Sequence, residues 1–352
     1  MSEDRLLIFH QGALGDFVVT FPILKALRAV YPRIDGICRS SFGRLAVDLG
    51  VLDASYPLES ARFASLYADR IDPAVATLVS AYSSLVLFSF SELLEGSLRK
   101  IGGCRVFRVM PWPAVSQKSH ITEFLARQVL TGDLMGKQGR RRFARALEHL
   151  DDNAARTRHC GSRIVIGPGA GSVKKRWPLE NFLVVAAEAK KRGLQPSILL
   201  GPAEVDLEAV VQDNPKSHPH VIKPRTFQEL IPVLQSAACF IGNDSGVSHL
   251  AAFLEVPTLV IFGPSDPERW RPFGNHVRIV TAGPVCSPCF DTDRSDCLER
   301  TCLEEIKPDL VVDALMGMLD MACAIGEQAS IKSPLRVQSH VTERQSFKKW
   351  NP

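Results

Sequence analysis

The chain has 352 residues, 45% of them hydrophobic and 23% charged, with a formal net charge of +4. That length allows two domains of ordinary size, and the composition excludes a disordered or fibrous chain. A charge this small gives no basis for a nucleic-acid partner, though it suits an anionic small ligand or an anionic membrane surface.

Met1-Ser2-Glu3-Asp4 runs directly into the apolar residues 6–9 with no basic region before them, so no secretory signal is expected. The longest apolar stretch, 74–90, is interrupted by Ser80, Ser83, Ser84 and Ser89 and falls short of the roughly 18 apolar residues a spanning helix needs. The expected location is therefore the cytoplasm, with peripheral membrane contact left open.

The elements begin with a strand at 5–9, a glycine-containing turn, and a helix over 16–30 whose stripe is Leu24, Leu27 and Val30. Pro22 sits either in the first turn of that helix or at a bend in it. Strand-like runs follow at 35–38 and 83–88, and helical patterns at 41–49 and 121–130. Residues 137–162 are polar and charged and read as a linker between lobes with one amphipathic helix in it.

The pattern then restarts. A strand at 163–167 leads into the glycine-rich turn 167–172, and a helix at 179–193 ends on Gly193 with Lys190, Lys191 and Arg192 matching its dipole. A strand at 196–201, helices at 204–213 and 226–237, a strand at 239–242, a helix at 245–255 and strands at 258–263 and 277–280 complete the series. Alternating strands and helices imply an α/β fold with parallel sheets. The repeat of the pattern implies two lobes: 1–155, 160–331, and a polar, mobile tail 332–352.

Three blocks could carry chemistry. In the first, 9–22, Gly12 and Gly15 bracket a tight turn and Asp16 falls where a helix N-cap belongs. Asp16 is either that cap or a general base at the strand's carboxyl edge. As a residue at a helix N-terminus its pKa is expected to be lowered. The GxxGD spacing is not the GxGxxG dinucleotide fingerprint, which counts against an NAD-dependent oxidoreductase.

The second block, 167–178, joins glycines to Lys174, Lys175 and Arg176; it lacks the GK[ST] ending of a nucleotide-triphosphate loop, and a basic surface turn is its alternative reading. In the third, 240–272, Asn243, Asp244, Ser245 and Gly246 open a helix whose N-terminus suits a diphosphate without a metal. His249 lies one turn further on and either joins that site or is structural.

GALGD, GAGSVKKRWP and NDSGVSHLAAFLEVPTLVIFGPSDPERWRP, in that order, resemble glycosyltransferase family 9, the family of the ADP-heptose:lipopolysaccharide heptosyltransferases. The resemblance covers about 6–308. It implies the GT-B fold, two Rossmann-like lobes with parallel sheets facing a cleft. It implies inverting, metal-independent transfer, with no cofactor required, from a nucleotide-sugar donor, normally ADP-heptose. The implied acceptor is a lipid A-linked core glycan, which puts the enzyme at the cytoplasmic face of the inner membrane. By the same resemblance Asp16 is the base, Lys175, Asp244, Ser245, Gly246 and His249 hold the donor phosphates, and Glu204 contacts the nucleoside. A family member with another nucleotide sugar or acceptor, and a non-catalytic sugar-nucleotide-binding protein, are the remaining alternatives.

Cys286, Cys289, Cys297 and Cys302 form a C-x2-C-x7-C-x4-C cluster. Unligated thiols, a structural zinc site and disulfides are the three readings; the reducing location argues against the last. Asp291-Thr292-Asp293 in the same loop reads as a solvated segment and not a metal-chelating DxD. The aromatic run Val109-Met110-Pro111-Trp112-Pro113 reads as packing in preference to acceptor contact.

Overall fold

A computed structural model describes residues 4–150, 161–212, 220–283, 286–290, 297 and 300–331. The first half forms β1 (Arg5–His10), α1 (Leu14–Val18), α2 (Phe21–Leu27), β2 (Arg33–Cys38), α3 (Ser40–Asp48), β3 (Ala54–Pro57), a 3₁₀ turn (Ala61–Tyr67), α4 (Pro73–Ser80), β4 (Ser84–Phe88), α5 (Glu92–Ile101), β5 (Arg105–Val109), α6 (Ile121–Thr131) and α7 (Lys137–Glu148). Its strands are all parallel, in the order β3-β2-β1-β4-β5. Alternate β1 side chains enter opposite layers. Leu6 and Ile8 meet Phe17, Leu24 and Val129, while Leu7 and Phe9 meet Val79, Leu94 and Leu98. A sheet covered on both faces accounts for the near-continuous apolar strands.

Two expectations change here. The helix expected over 16–30 breaks after α1, and Pro22 sits in the first turn of α2, where its missing N–H costs nothing. The amphipathic helix expected in the stretch read as a linker is α7, and instead of bridging the lobes it packs on α2 and α6 and buries Phe143 and Leu147. The i,i+4 spacing of those two side chains is enough to seat a helix that is otherwise charged. Residues 151–160 of that stretch lie outside the described residues, as does the tail from 332.

The second half forms β6 (Arg163–Gly167), a 3₁₀ turn (Val173–Lys175), α8 (Leu179–Lys191), β7 (Gln195–Leu199), α9 (Val205–Gln212), β8 (His220–Ile222), α10 (Phe227–Gln235), β9 (Cys239–Asn243), α11 (Gly246–Phe253), β10 (Thr258–Ile261), α12 (Pro267–Trp270), β11 (Val277–Val280), α13 (Thr301–Glu304) and α14 (Pro308–Ile331). The sheet order β11-β10-β9-β6-β7-β8 is that of a doubly wound dinucleotide fold. The order reverses between β6 and β9 here, and between β1 and β4 in the first sheet. The sequence reading passed over α14, which lies on α8 and β11 with Val311 and Leu315 buried. Among the described residues no helix is long and apolar enough to cross a membrane.

The two Rossmann-like lobes share an apolar seam. Phe21 meets Phe253 edge-on at 5.0 Å, Phe42 meets Phe227 at 5.9 Å, and one core runs from Leu6 and Phe17 through to Leu230 and Leu250. Helices α1 and α11 each follow the carboxyl end of a strand, and they touch, so the carboxyl edges of the two sheets face one another.

Candidate active site

In the second lobe, the glycine-rich turn after β6 and the Asn243–Gly246 turn after β9 flank the point where strand order reverses. Asn243 ties them together. Fully buried, it accepts the Trp177 backbone N–H at 3.0 Å and donates to the Pro168 carbonyl at 2.8 Å. Ser245 is the N-cap of α11, its hydroxyl accepting the Ser248 N–H at 3.3 Å. Lys175, at the end of its 3₁₀ turn, sets Nζ 2.7 Å from Asp244 Oδ2 and 4.3 Å from the centre of the Phe290 ring. Phe290 is itself held, since its N–H and that of Cys289 both donate to the Pro264 carbonyl at 2.8 Å. Lys175 is thus pinned at the mouth of α11 by a carboxylate and an aromatic face.

Asp16 comes from the other lobe. It is not the N-cap of α1; that position is Ala13, and Asp16 is the third helical residue, its Oδ2 accepting the Ala13 N–H at 3.1 Å. Its pKa is raised, contrary to the sequence expectation. Burial is the largest cause and Asp244 adds to it, while the Ala13 hydrogen bond and Lys175 pull the other way. Desolvation outweighs the field of a helix only five residues long. The result is a stronger base than a capping aspartate would be.

The lobes meet at Gly15 and Gly246. A Cβ on Gly246 would lie 2.8 Å from Leu14 Cβ and 2.9 Å from Gly15 N, so only glycine allows this approach. His249 is buried, 7% exposed, with its ring beside Gly15. Burial foremost pulls its pKa down to about 4, so it meets the site as a neutral imidazole rather than a cation.

His10, which sequence reasoning missed, ends β1. Its Nδ1 accepts the Gly12 N–H at 3.2 Å, and its ring packs 5.0 Å from Phe17 and 5.7 Å from Phe88. It also hydrogen-bonds the Asp16 backbone, and burial holds it neutral with a pKa of about 4. The available signal was a lone polar residue closing an apolar strand. His120, the N-cap of α6, bonds the Arg271 carbonyl at 2.8 Å, and the Arg269 guanidinium bonds the Pro113 carbonyl. The segment after β10 thereby holds the 110–120 loop of the first lobe.

Glu204 lies against the glycine-rich turn. Its Oε2 accepts the Gly201 N–H at 2.8 Å, and Oε1 lies 2.4 Å from where a Gly169 Cβ would be. It braces the glycine-rich turn and fills the space a side chain there would need. Cys286, Cys289, Cys297 and Cys302 line a cavity of about 300 Å³ with Ser172, Lys174 and Arg300. Burial and the other three thiols push the Cys302 pKa up to about 11, and no group of three or more His, Cys, Asp or Glu among the described residues is arranged to hold a metal ion. The Asp291-Thr292-Asp293 triplet lies outside the described residues.

Two doubly wound lobes facing one another across glycine-rich turns define the GT-B class. The model of glycosyltransferase family 9 (heptosyltransferase) matches residues 120–298, and the chain belongs to that family. It is 31% identical over 124 residues to lipopolysaccharide heptosyltransferase 3 of Escherichia coli K12, an alignment covering 34% of this chain and 36% of that relative. The chain therefore spans about a third of the length of that relative. Its fold is similar to that of a family 9 glycosyl transferase from Veillonella parvula (17% identity, TM-score 0.67, covering 91% of this chain and 98% of the other). It is also similar to that of the E. coli heptosyltransferase WaaC with ADP (16% identity, TM-score 0.63, covering 89% and 99%).

Proposed function

We propose that the protein transfers heptose from ADP-heptose to a lipopolysaccharide core glycan, by an inverting displacement that needs no metal ion. The observation that carries the reading is that Asp16 from one lobe faces Lys175, Asp244 and the N-terminus of α11 from the other, close enough for their charges to act on one another. The acceptor hydroxyl enters beside Asp16, which takes its proton as the oxygen attacks the anomeric carbon from the face opposite the diphosphate. Lys175 and the Ser245–Gly246 N–H groups hold the departing ADP, and neutral His249 donates a hydrogen bond to it. Asp244 orients Lys175. Glu204 acts on the donor by bracing the turn that the nucleotide lies against.

In this reading residues 1–155 form the acceptor lobe and 160–331 the donor lobe, and the protein works in the cytoplasm at the inner membrane, where its lipid-linked acceptor is anchored. The raised pKa of Asp16 supports the role of base. The pairing of Lys175 with a helix N-terminus supports charge balance without a cation.

The test is transfer by chelator-treated protein supplied with ADP-heptose and a core oligosaccharide truncated before its heptoses. Product should form at the untreated rate, with inverted anomeric configuration. An absolute requirement for added magnesium or manganese, or transfer from another nucleotide sugar in preference to ADP-heptose, would overturn the corresponding part.

A further inference from the structure

Among the described residues the large aromatic side chains that stand exposed are Tyr67 (46%), Phe90 (47%), Trp112 (42%) and Phe290 (38%). Single exposed aromatics are unremarkable, but a set gathered at one edge marks a binding surface. Phe290 lies against Lys175 in the donor lobe. The other three belong to the carboxyl edge of the first sheet. Phe90 follows the end of β4 and Trp112 the end of β5, and their rings meet edge to face at 4.8 Å. The Tyr67 hydroxyl takes a hydrogen bond from Gln11, in the loop that leads into α1 and Asp16.

The topology explains the gathering. Strand β4 neighbours β1 at the point where the order of the first sheet reverses, and doubly wound sheets hold ligands at that point. A line of contacts runs from Asp16 to His10, from His10 to Phe88, and two residues on to Phe90 and its partner Trp112. The platform is fixed. Arg108 donates to the Phe90 carbonyl at 3.1 Å and pairs with Glu95 at 2.7 Å, and the Pro113 carbonyl next to Trp112 is bonded by Arg269 of the donor lobe.

We propose that Phe90 and Trp112 form the acceptor subsite: their rings carry the C–H face of a pyranose and present one of its hydroxyls to Asp16. The proposal rests on the glycosyl-transfer reading above. A pyranose has an apolar C–H face and a hydroxyl rim. The aromatic pair matches the face, while Glu92, two residues along the chain from Phe90, is of the right type to hydrogen-bond the rim.

The test uses the full chain and a deacylated lipid A–core oligosaccharide as probe, titrated calorimetrically, with ADP titrated separately. Trp112→Ala and Phe90→Ala should each weaken oligosaccharide binding by about ten-fold and leave ADP binding and melting unchanged. Trp112→Phe should recover most of the loss. In transfer assays the alanine variants should raise the acceptor KM with little change in kcat. Undiminished oligosaccharide affinity in both alanine variants would overturn the proposal, as would a matching loss of ADP affinity. Loss of binding to phosphatidylglycerol vesicles with oligosaccharide binding intact would make the pair a lipid contact instead. Should the alanine variants fail to fold, Trp112→Leu and Phe90→Leu, which keep apolar bulk without an aromatic face, carry the same comparison. The oligosaccharide titration needs no turnover. Trp112-dependent binding in a protein that transfers no sugar would remove the heptosyl-transfer reading and leave the platform standing.

Discussion

At Asp16 the forces that weaken the fold strengthen the base. Its pKa is raised, chiefly by burial, so its contribution to stability is full below the ordinary carboxylate range of about 4 and is lost as pH rises through the raised value. Asp16→Asn keeps an acceptor oxygen for the Ala13 N–H and removes the buried charge. The variant should melt no lower than wild type at pH 7, and the two should converge below about pH 4. Turnover should fall by about 10²–10⁴ with ADP affinity unchanged, and the acid limb of wild-type kcat/KM should lie above the usual carboxylate range. Full turnover in a well-folded Asn variant would leave Asp16 a structural residue only. Lys175 differs because its partner is buried. Lys175→Ala should weaken ADP binding by about 10–100-fold, the worth of a hydrogen bond to a charged group, and should also lower the melting temperature by stranding Asp244. Adding Asp244→Asn should restore melting without restoring ADP affinity. Recovery of both would make the pair purely structural.

At the scale of elements, the contact between α1 and α11 turns on two glycines of unequal importance. A Cβ at Gly15 would rest 3.6 Å from Gly246 Cα, an ordinary contact, whereas one at Gly246 would come within 2.9 Å of backbone. Gly15→Ala should therefore be tolerated. Gly246→Ala should push the lobes apart, enlarge the radius of gyration in solution scattering, and cut turnover by about ten-fold or more through lost alignment of the two half-sites. Equal behaviour of the two variants would show that the lobes do not close as described. The sequence carried the glycines and the turns they make. Which of the two is indispensable depends on the approach of another helix, which no local pattern records.

Among the described residues, His10 and His249 are buried and His120 is half-buried at or near the seam. His10, His120 and His249 each have pKa values lowered from the ordinary value to about 4, with desolvation the largest cause. For a lowered histidine, stability is fully present above the unfolded value of about 6.5 and is lost as pH falls toward the folded one. Unfolding in that window takes up as many as three protons, against the single opposing contribution of Asp16. The melting temperature should thus fall steadily from about pH 6.5 to pH 4, and replacing His120 with Gln should flatten the slope by about one proton. A melting temperature independent of pH across that interval would mean that these imidazoles are solvated. Because all three lie at or near the lobe contact, early acid opening should separate the lobes before either sheet melts.

Much of this architecture was legible along the chain. Parallel strands covered on both faces must be short continuous apolar runs, and the turns at their carboxyl ends must be rich in Gly, Asn, Asp and Ser, so the two doubly wound halves and the blocks around Asp16, Lys175 and Asp244 could be read by eye. Hydrophobic period and turn chemistry are local, and a sequence records local rules directly. The folded chain alone decided the base strength of Asp16, the neutral state of His249 and the bracing role of Glu204. It alone decided the seating of α7 by Phe143 and Leu147, and the meeting of Phe90 with Trp112. Each of these depends on desolvation or close approach by residues distant in the chain, and those appear only when the two lobes have packed together.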